Sequence, residues 1–434
     1  MTVNRREFLN DAAKTAAADS AAVAAVNASQ SLRAADSPNE KIVVGVMGVN
    51  GRGTALARGF AAQPGAEVAY VCDVDERAAA KAAGALKGLA AKEPKQIKDF
   101  RRMLDDNSLD VLVCAAPDHW HAPATILACS AGKHVYVEKP CSHNPREGEL
   151  AVAAARKNNR VVQMGNQRRS RPKTIEGIRL VQSGAIGRVY FSRGWYASLR
   201  GSIGRGQPTA VPSWLDFDLW QGPAPRQKLQ SNLIHYNWHW FWQWGTGEIG
   251  NNGVHALDLC RWGLDVDYPT RVTCSGGRYH WQDDQQTPDT HLVSYDFEGG
   301  KSIAWEGLSC NRRGPGGSTF GVTFHGENGT IEMDDRRNGY IHYDKSNKVV
   351  KEVGGTGGDA DHFRNFLDCI RSGERPNSDI EGGHKSTLLC HLGNIAYRTG
   401  ETVNLDPATH RITDNEKQAA LWGREYEKGW EPKV

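Results

Sequence analysis

No CxxC pair occurs among the nine cysteines of this 434-residue chain. That absence speaks against a zinc ribbon and against a dense disulfide framework. No block of like charges stands out either: 53 basic residues face 50 acidic ones, for a net charge of +3. An electrostatic footprint for nucleic acid is missing, so nucleic acid is not an expected partner. No apolar run approaches the roughly 18 residues of a membrane span, and no membrane anchoring is expected. What remains is a composition of 39% hydrophobic and 24% charged residues. This is the balance of a soluble globular protein, on a chain long enough for two domains and a sizeable core.

The N-terminus carries Asn4-Arg5-Arg6-Glu7-Phe8-Leu9, which matches a twin-arginine pattern. Alanine-rich sequence follows from Ala12 to Ala28, then polar residues up to Glu40. Residues 1–40 therefore read as an export signal and linker, with a periplasmic or exported location. The other reading is a disordered or helical extension on a cytoplasmic protein.

Residues 41–165 alternate strand-like and helix-like segments. Apolar runs at 42–48, 67–73, 110–116, 134–139 and 160–166 are separated by alanine-rich segments at 53–63, 76–88, 121–131 and 146–158. Near-continuous apolar strands between helices predict an α/β domain with a doubly wound parallel sheet of the Rossmann kind. The first strand runs into Gly48-Val49-Asn50-Gly51-Arg52-Gly53. A dinucleotide fingerprint places Gly-x-Gly-x-x-Gly here, and Asn50 stands at its second glycine. Asparagine tolerates positive φ better than most residues, so the turn can still form. Asp73 ends the second strand where the fingerprint places a ribose-binding acid. Its carboxylate favours NAD and repels a 2′-phosphate, although Arg77 nearby keeps NADP open.

The stretch Gly132-Lys133-His134-Val135-Tyr136-Val137-Glu138-Lys139-Pro140 ends a short apolar strand in an acid, a base and a proline. Pro140 cannot continue a central strand. Lys139 then sits at the carboxyl end of a strand, where open α/β sheets bind ligands. Together with the glycine loop, Pro117 and His121, this stretch resembles the glucose–fructose oxidoreductase, inositol dehydrogenase and rhizopine-catabolism family (Gfo/Idh/MocA) from about residue 40 to about residue 400. The resemblance implies a second domain with a large, mostly antiparallel open sheet, and an active site between that sheet and the nicotinamide. It implies that Lys139 faces the substrate oxygen and that Pro117, His121 and Glu138 belong with the glycine loop at the cofactor.

Further on, the run from Gly250 to Asp258 reads as a helix with Asn251, His255 and Asp258 on one face. The family pattern there is Asp-x-Gly-x-His-x-x-Asp, so His255 corresponds to its catalytic histidine and Asp258 to its later acid. Asn251 replaces the first acid. A neutral imidazole suits removal of a hydroxyl proton, and an ammonium can stabilise the developing alkoxide. An amide at 251 can only orient the ring, which leaves Glu248 or Asp258 as other candidates for the anionic partner.

Most of the 13 tryptophans fall between Trp195 and Trp305. Trp238, Trp240, Trp242 and Trp244 alternate, which places them on one side of an extended segment. Such a stripe reads first as core. With Tyr236 and His239 beside it, it also suits a carbohydrate pocket. His235 with His239, and His119 with His121, have no cysteine or carboxylate spacing to match, and no metal is expected. Polar–apolar alternation through 269–281, 289–298, 301–309, 318–333 and 339–352 supplies the second sheet. A large sheet face without helices invites oligomerisation, to a dimer or tetramer. Helices follow near 360–373 and 382–399, with Asp361, His362 and His384 as further pocket candidates.

The chain thus divides into residues 1–40, a Rossmann domain at 41–165, a substrate and oligomerisation domain at 166–400 and an extension at 401–434. The leading functional reading is an NAD-dependent dehydrogenase acting on a secondary hydroxyl of a sugar, glycoside or cyclitol. The alternatives are a redox-neutral NAD-dependent glycosidase or epimerase working by transient oxidation, and a non-catalytic sugar- or cofactor-binding protein.

Overall fold

The structure, a computed structural model, describes residues 41–413 and 415–434. The twin-arginine pattern and the rest of residues 1–40 lie outside the described residues. Five strands fall on the five apolar runs of the first half: β1 (Ile42–Met47), β2 (Ala66–Cys72), β4 (Val111–Cys114), β5 (His134–Val137) and β6 (Val162–Met164). A short β3 (Lys95–Ile97) joins them at the edge. It has little apolar signal to reveal it, since Lys95 and Gln96 are exposed. All pairs are parallel, in the order β3-β2-β1-β4-β5-β6. Every residue of β4 is buried, as a parallel strand covered on both faces must be. The order turns back between β1 and β4, so a crevice opens at their carboxyl ends.

Local chemistry sets the helix starts of this half. Asp75 accepts the Arg77 N–H to cap helix Glu76–Ala85, and Asn144 accepts the Glu147 N–H to cap helix Pro145–Lys157. Pro145 occupies the first turn of the latter, where a missing N–H leaves nothing unpaired.

The second sheet has nine strands: β7 (Val189–Ala197), β8 (Arg271–Gly277), β9 (Thr290–Phe297), β10 (Lys301–Leu308), β11 (Phe320–Gly326), β12 (Gly329–Asp334), β13 (Tyr340–Asp344), β14 (Val349–Val353) and β15 (Val403–Asn404). Their order is β14-β13-β12-β11-β7-β10-β9-β8-β15, antiparallel except for the parallel pair β7–β10. The sequence reading did not single out β7, although it lies at the centre. Gly194 inside it has a packing reason: a Cβ there would come within 2.8 Å of the Ala256 Cβ. The missing side chain lets helix Val254–Leu264 lie close against the sheet, and this helix carries His255. Helices Pro172–Gln182, Val254–Leu264 and Ile380–Thr399 all pack on the sheet.

Two later pieces of chain return to the first half. Helix Ala360–Ser372 delivers Phe363, Phe366 and Leu367 into the core around β1 and β2, with the Phe363 ring 4.6 Å from that of Phe60. The tail docks on helix Pro145–Lys157, where Arg424 and the Tyr426 hydroxyl meet the fully buried Glu147 at 2.6 and 2.9 Å. Trp430 then packs edge-on against Trp120 at 5.1 Å. The divisions drawn at 165 and 400 follow composition along the chain, whereas the packing crosses both.

Candidate active site

A cleft of about 520 Å³ lies at the carboxyl ends of β1, β2, β4 and β5. Gly48 has φ +81, and a Cβ on it would lie 2.5 Å from the Ala116 nitrogen. A Cβ on Gly53 would lie 2.0 Å from the Gly48 carbonyl oxygen. These two positions therefore need glycine, one for the turn and one for the close approach of helix Arg52–Ala61 to the sheet. Asn50, Gly51 and Arg52 line the cleft, and a Cβ on Gly51 would meet open space. Backbone N–H groups at such a helix start favour an anion.

Asp73 lies on the cleft wall and ties the loop down. Its carboxylate accepts from the Val49 N–H at 2.8 Å and from the Asp75 N–H at 3.0 Å. Burial pushes its carboxyl above the ordinary aspartate value. Arg77 is engaged elsewhere, donating to Asp75 at 3.0 and 2.8 Å and lying 3.3 Å over the Trp214 ring. It is absent from the cleft lining, so the cation that kept NADP open does not stand beside Asp73. The glycine cradle, the helix start and this carboxylate fit NAD.

Other expected cofactor contacts take different roles. Pro117 lines the cleft. His121 lines it as well, but both ring nitrogens face backbone carbonyls, of Pro140 at 2.5 Å and Ala116 at 2.7 Å. It braces the Lys139–Pro140 corner against the end of β4 and leaves no ring nitrogen for a ligand. Glu138 is buried against Gly165 and pairs with Arg52 at 2.7 Å. Burial alone would raise its carboxyl, but Arg52 and Lys139 outweigh that and hold it below the ordinary value. Glu138 thus fixes Arg52, whose other arm reaches Asp359 at 2.7 Å.

The opposite wall comes from the segment between β7 and helix Val254–Leu264. Residues 213–244 form a strap closed on the Rossmann edge by Asp216 N–H to Val74 O at 3.0 Å, Glu76 N–H to Trp214 O at 3.2 Å and His235 to Asp75 at 2.9 Å. Beneath it Leu215, Phe217, Trp220, Leu229, Leu233 and Trp244 build a separate small core. The four alternating tryptophans do not share one side, because the chain is not extended there. Asn237–Trp240 is a turn of 3₁₀ helix. Trp238 lines the cleft and stacks on His239 at 3.6 Å, Trp244 packs on Trp220 at 5.1 Å, and Trp242 lies near Tyr397 at 6.3 Å. Tyr236 and His239 do line the cleft, and burial pushes His239 down to about 3. The histidine pairs diverge: His119 meets the Trp220 carbonyl at 3.0 Å, and His235 meets Asp75.

One end of the cleft gathers Lys139, Asn251 and His255. Asn251 lies in a π-helical turn, Ile249–Gly253, which precedes the α-helix instead of the single helix expected. Such turns recur at functional sites. Glycine permits the packing here, since a Cβ on Gly250 would run into Thr246 and one on Gly253 would lie 2.9 Å from Trp305. Lys139 Nζ donates to Asn251 Oδ1 at 2.9 Å. The Asn251 amide donates in turn to Glu248 Oε1 at 3.4 Å, and Asn252 donates to the same oxygen. Glu248 is paired with Arg200 at 3.0 Å. Nδ1 of His255 has no hydrogen-bond partner among the described residues. Burial pushes its imidazole well below the ordinary histidine value, and Arg168, Lys139, Arg171 and Arg52 push the same way. The ring is therefore neutral at neutral pH.

The remaining candidates lie elsewhere. Asp258 is 1% exposed and shares three hydrogen bonds of 2.8 to 3.0 Å with Arg169, plus one from Ser386 at 2.6 Å. Arg169 draws it into an ion pair away from the cleft. His384 is buried beside Gly148, Asp361 faces Arg364, and His362 bonds Ser170 and the Met164 carbonyl; none of the three lines the cleft. Several lining residues were missed, among them Lys98, Asp118, Trp220 and Gln167. Asp118 follows directly on Pro117 and accepts from Thr246 N–H and Oγ at 3.1 and 2.7 Å; its place just after β4 was a readable signal. Gln167 had none.

Comparisons with known proteins bear on this geometry. Residues 42–166 match the NAD-binding Rossmann fold of the oxidoreductase family Gfo/Idh/MocA, and residues 194–431 match its C-terminal alpha/beta domain. A glycosyl hydrolase family 109 protein of Saccharopolyspora erythraea is 32% identical over 163 residues, covering 36% of this chain and 35% of that protein. An inositol 2-dehydrogenase of Rubrobacter xylanophilus is 30% identical over 161 residues, covering 36% of this chain and 44% of that one. The match thus spans less than half the length of these curated relatives. Among solved structures, aldose-aldose oxidoreductase from Caulobacter crescentus in complex with glycerol superposes with a TM-score of 0.64 at 19% identity, covering 84% of this chain and all of that one. That likeness is one of fold.

Proposed function

The chain belongs to the Gfo/Idh/MocA oxidoreductase family and carries its NAD-binding Rossmann domain, and from that premise we propose that it oxidises a secondary hydroxyl of a sugar, glycoside or cyclitol. One observation carries the reading. An amine held at 2.9 Å from an amide oxygen and a neutral histidine line the same cleft as the glycine loop. NAD supplies the hydride acceptor. Lys139 donates a hydrogen bond to the carbinol oxygen and stabilises the negative charge that develops there. His255, neutral and unpartnered, takes the hydroxyl proton. Asn251 holds Lys139 in place, and the aromatic wall of Trp238 and Tyr236 offers faces on which a sugar ring can pack.

The test is a panel of aldoses, glycosides and cyclitols incubated with NAD and the purified protein. NADH formation with at least one of them is the expected result. Consumption of a glycoside with retained NAD and no net NADH would replace this reading by the redox-neutral one. That alternative draws support from the family 109 glycosyl hydrolase among the relatives.

A further inference from the structure

The position that the family pattern gives to an acid is an amide here, and the acid lies one turn earlier. Glu248 is 3% exposed and Asn251 6%, so neither side chain is free to solvate its polar atoms. Their pairing fixes the amide's orientation. Lys139 Nζ has only protons to offer and Glu248 Oε1 only lone pairs, so Asn251 must turn its oxygen to the lysine and its NH₂ to the carboxylate. Asn252 donates to that same oxygen of Glu248, while Arg200 reaches both oxygens, at 3.0 and 3.3 Å, and the Ser309 hydroxyl lies 3.5 Å from one. The carboxylate is thereby held from several sides, and the guanidinium is pinned in turn by the Tyr236 hydroxyl at 2.8 Å. Buried networks of this kind are rigid only while every member is satisfied.

We propose that Glu248 is the positioning residue for Lys139: anchored by Arg200, it orients the Asn251 amide so that the amine is held at the reacting end of the cleft. The negative charge that the family pattern places at position 251 stands three residues earlier here and acts on the lysine through the amide. This rests on the reading of the site as one for carbinol oxidation. It adds that residues 248 and 251 form a unit, which tolerates one carboxylate and one amide in either order but not two of either kind. Asn251→Asp alone would set two carboxylates side by side, with their contacting atoms about as close as the present 3.4 Å. Glu248→Gln alone would leave Arg200 without its partner and the Asn251 amide free to rotate.

The experiment is a charge swap in the full-length protein, read by kcat, KM and pH profile on the best substrate of the panel. Glu248→Gln and Asn251→Asp should each lower kcat by roughly tenfold to a hundredfold, the scale of a catalytic group displaced by about 1 Å, with NAD affinity unchanged. The double variant E248Q/N251D should recover to within about threefold of the starting enzyme. Independent losses that multiply in the double variant, or an E248Q enzyme with unchanged kcat at every pH, would overturn the proposal. Crystal structures of E248Q and of the starting protein give a readout that needs no turnover. The Lys139–Asn251 Oδ1 contact should be present in the latter and lost in the former, and its survival in E248Q would also refute the inference. Should the starting enzyme oxidise no carbinol at all, the functional reading fails while these two structures still decide the role of Glu248.

Discussion

The two walls of the cleft are built on different principles. The Rossmann wall is made by backbone: Gly48 and Gly53 have no room for a Cβ, and Asp73 holds two N–H groups of the loops around it. The end that holds Lys139 is made by five side chains from four places in the chain, Lys139, Arg200, Glu248 with Asn251, and Ser309, which hold one another. A backbone site changes in an all-or-none manner, because a clash cannot be shared out. A side-chain network changes by degrees, and a second substitution can compensate for the first. Mutations on the two sides should therefore break different things.

The largest effect is expected at the reacting end. Lys139→Ala should lower turnover by about two to four orders of magnitude, the range for a placed acid–base or oxyanion group. NAD affinity, measured by calorimetry, should change little. Turnover near that of the unmodified enzyme would reduce Lys139 to a structural charge at a strand end. On the other wall, Gly53→Ala drives a methyl group to 2.0 Å from the Gly48 carbonyl oxygen. It should cost about 1–3 kcal/mol of stability and weaken NAD binding, visible in thermal unfolding with and without NAD. If Gly53→Ala binds NAD normally, the contrast between the walls disappears.

A pH series sharpens the same contrast. Burial pushes His119, His239 and His391 down to about 3, and His134, His291, His362 and His384 to about 4. In the unfolded chain these rings protonate near pH 6.5, so below that pH the unfolded state binds more protons and stability falls. The loss should run from about pH 6.5 down towards 4, at up to about 1.4 kcal/mol per pH unit for each such ring. Urea midpoints measured across this window should fall steeply, and a flat profile would show that the rings are hydrated. The same burial acts on His255, so the acid limb of kcat/KM should lie below the ordinary histidine value. A limb above it would mean that an anion reaches the ring. The smallest effect concerns cofactor choice: NAD should bind more tightly than NADP by roughly tenfold, worth about one charge-assisted hydrogen bond, and Asp73→Ser should narrow the gap.

The contrast between the walls also explains what the sequence could reveal. Strand β4 is buried throughout, and a parallel strand writes that burial into consecutive residues. Gly48, Asp73 and Lys139 stand at strand ends, so their places follow once the strands are found. The network of Arg200 and Glu248 has no local signature, because its members meet only after β7 has taken its central place in the second sheet. Asp258 misled for a related reason. Its spacing from His255 is helical, but Arg169, from another segment, decides where its carboxylate points. The tryptophan stripe failed because alternation has meaning only on an extended chain, and residues 237–240 are wound.

The strap over the cofactor cleft has a kinetic side. A segment with its own apolar core cannot swing aside like a loop tip, because lifting it exposes Phe217, Trp220 and Leu233 together. The traffic of a long ligand through that edge is then governed by the free energy of a local opening, which sets a ceiling on both its arrival and its departure. The amide protons of Glu76 and Asp216, which close the strap on the Rossmann edge, report on that opening directly. Their hydrogen exchange should slow when NAD is added and should match the rate at which bound NADH is lost on dilution. Residence time would then be a property written into the core under residues 213–244, adjustable at Leu215, Leu229 or Leu233, which do not line the cleft.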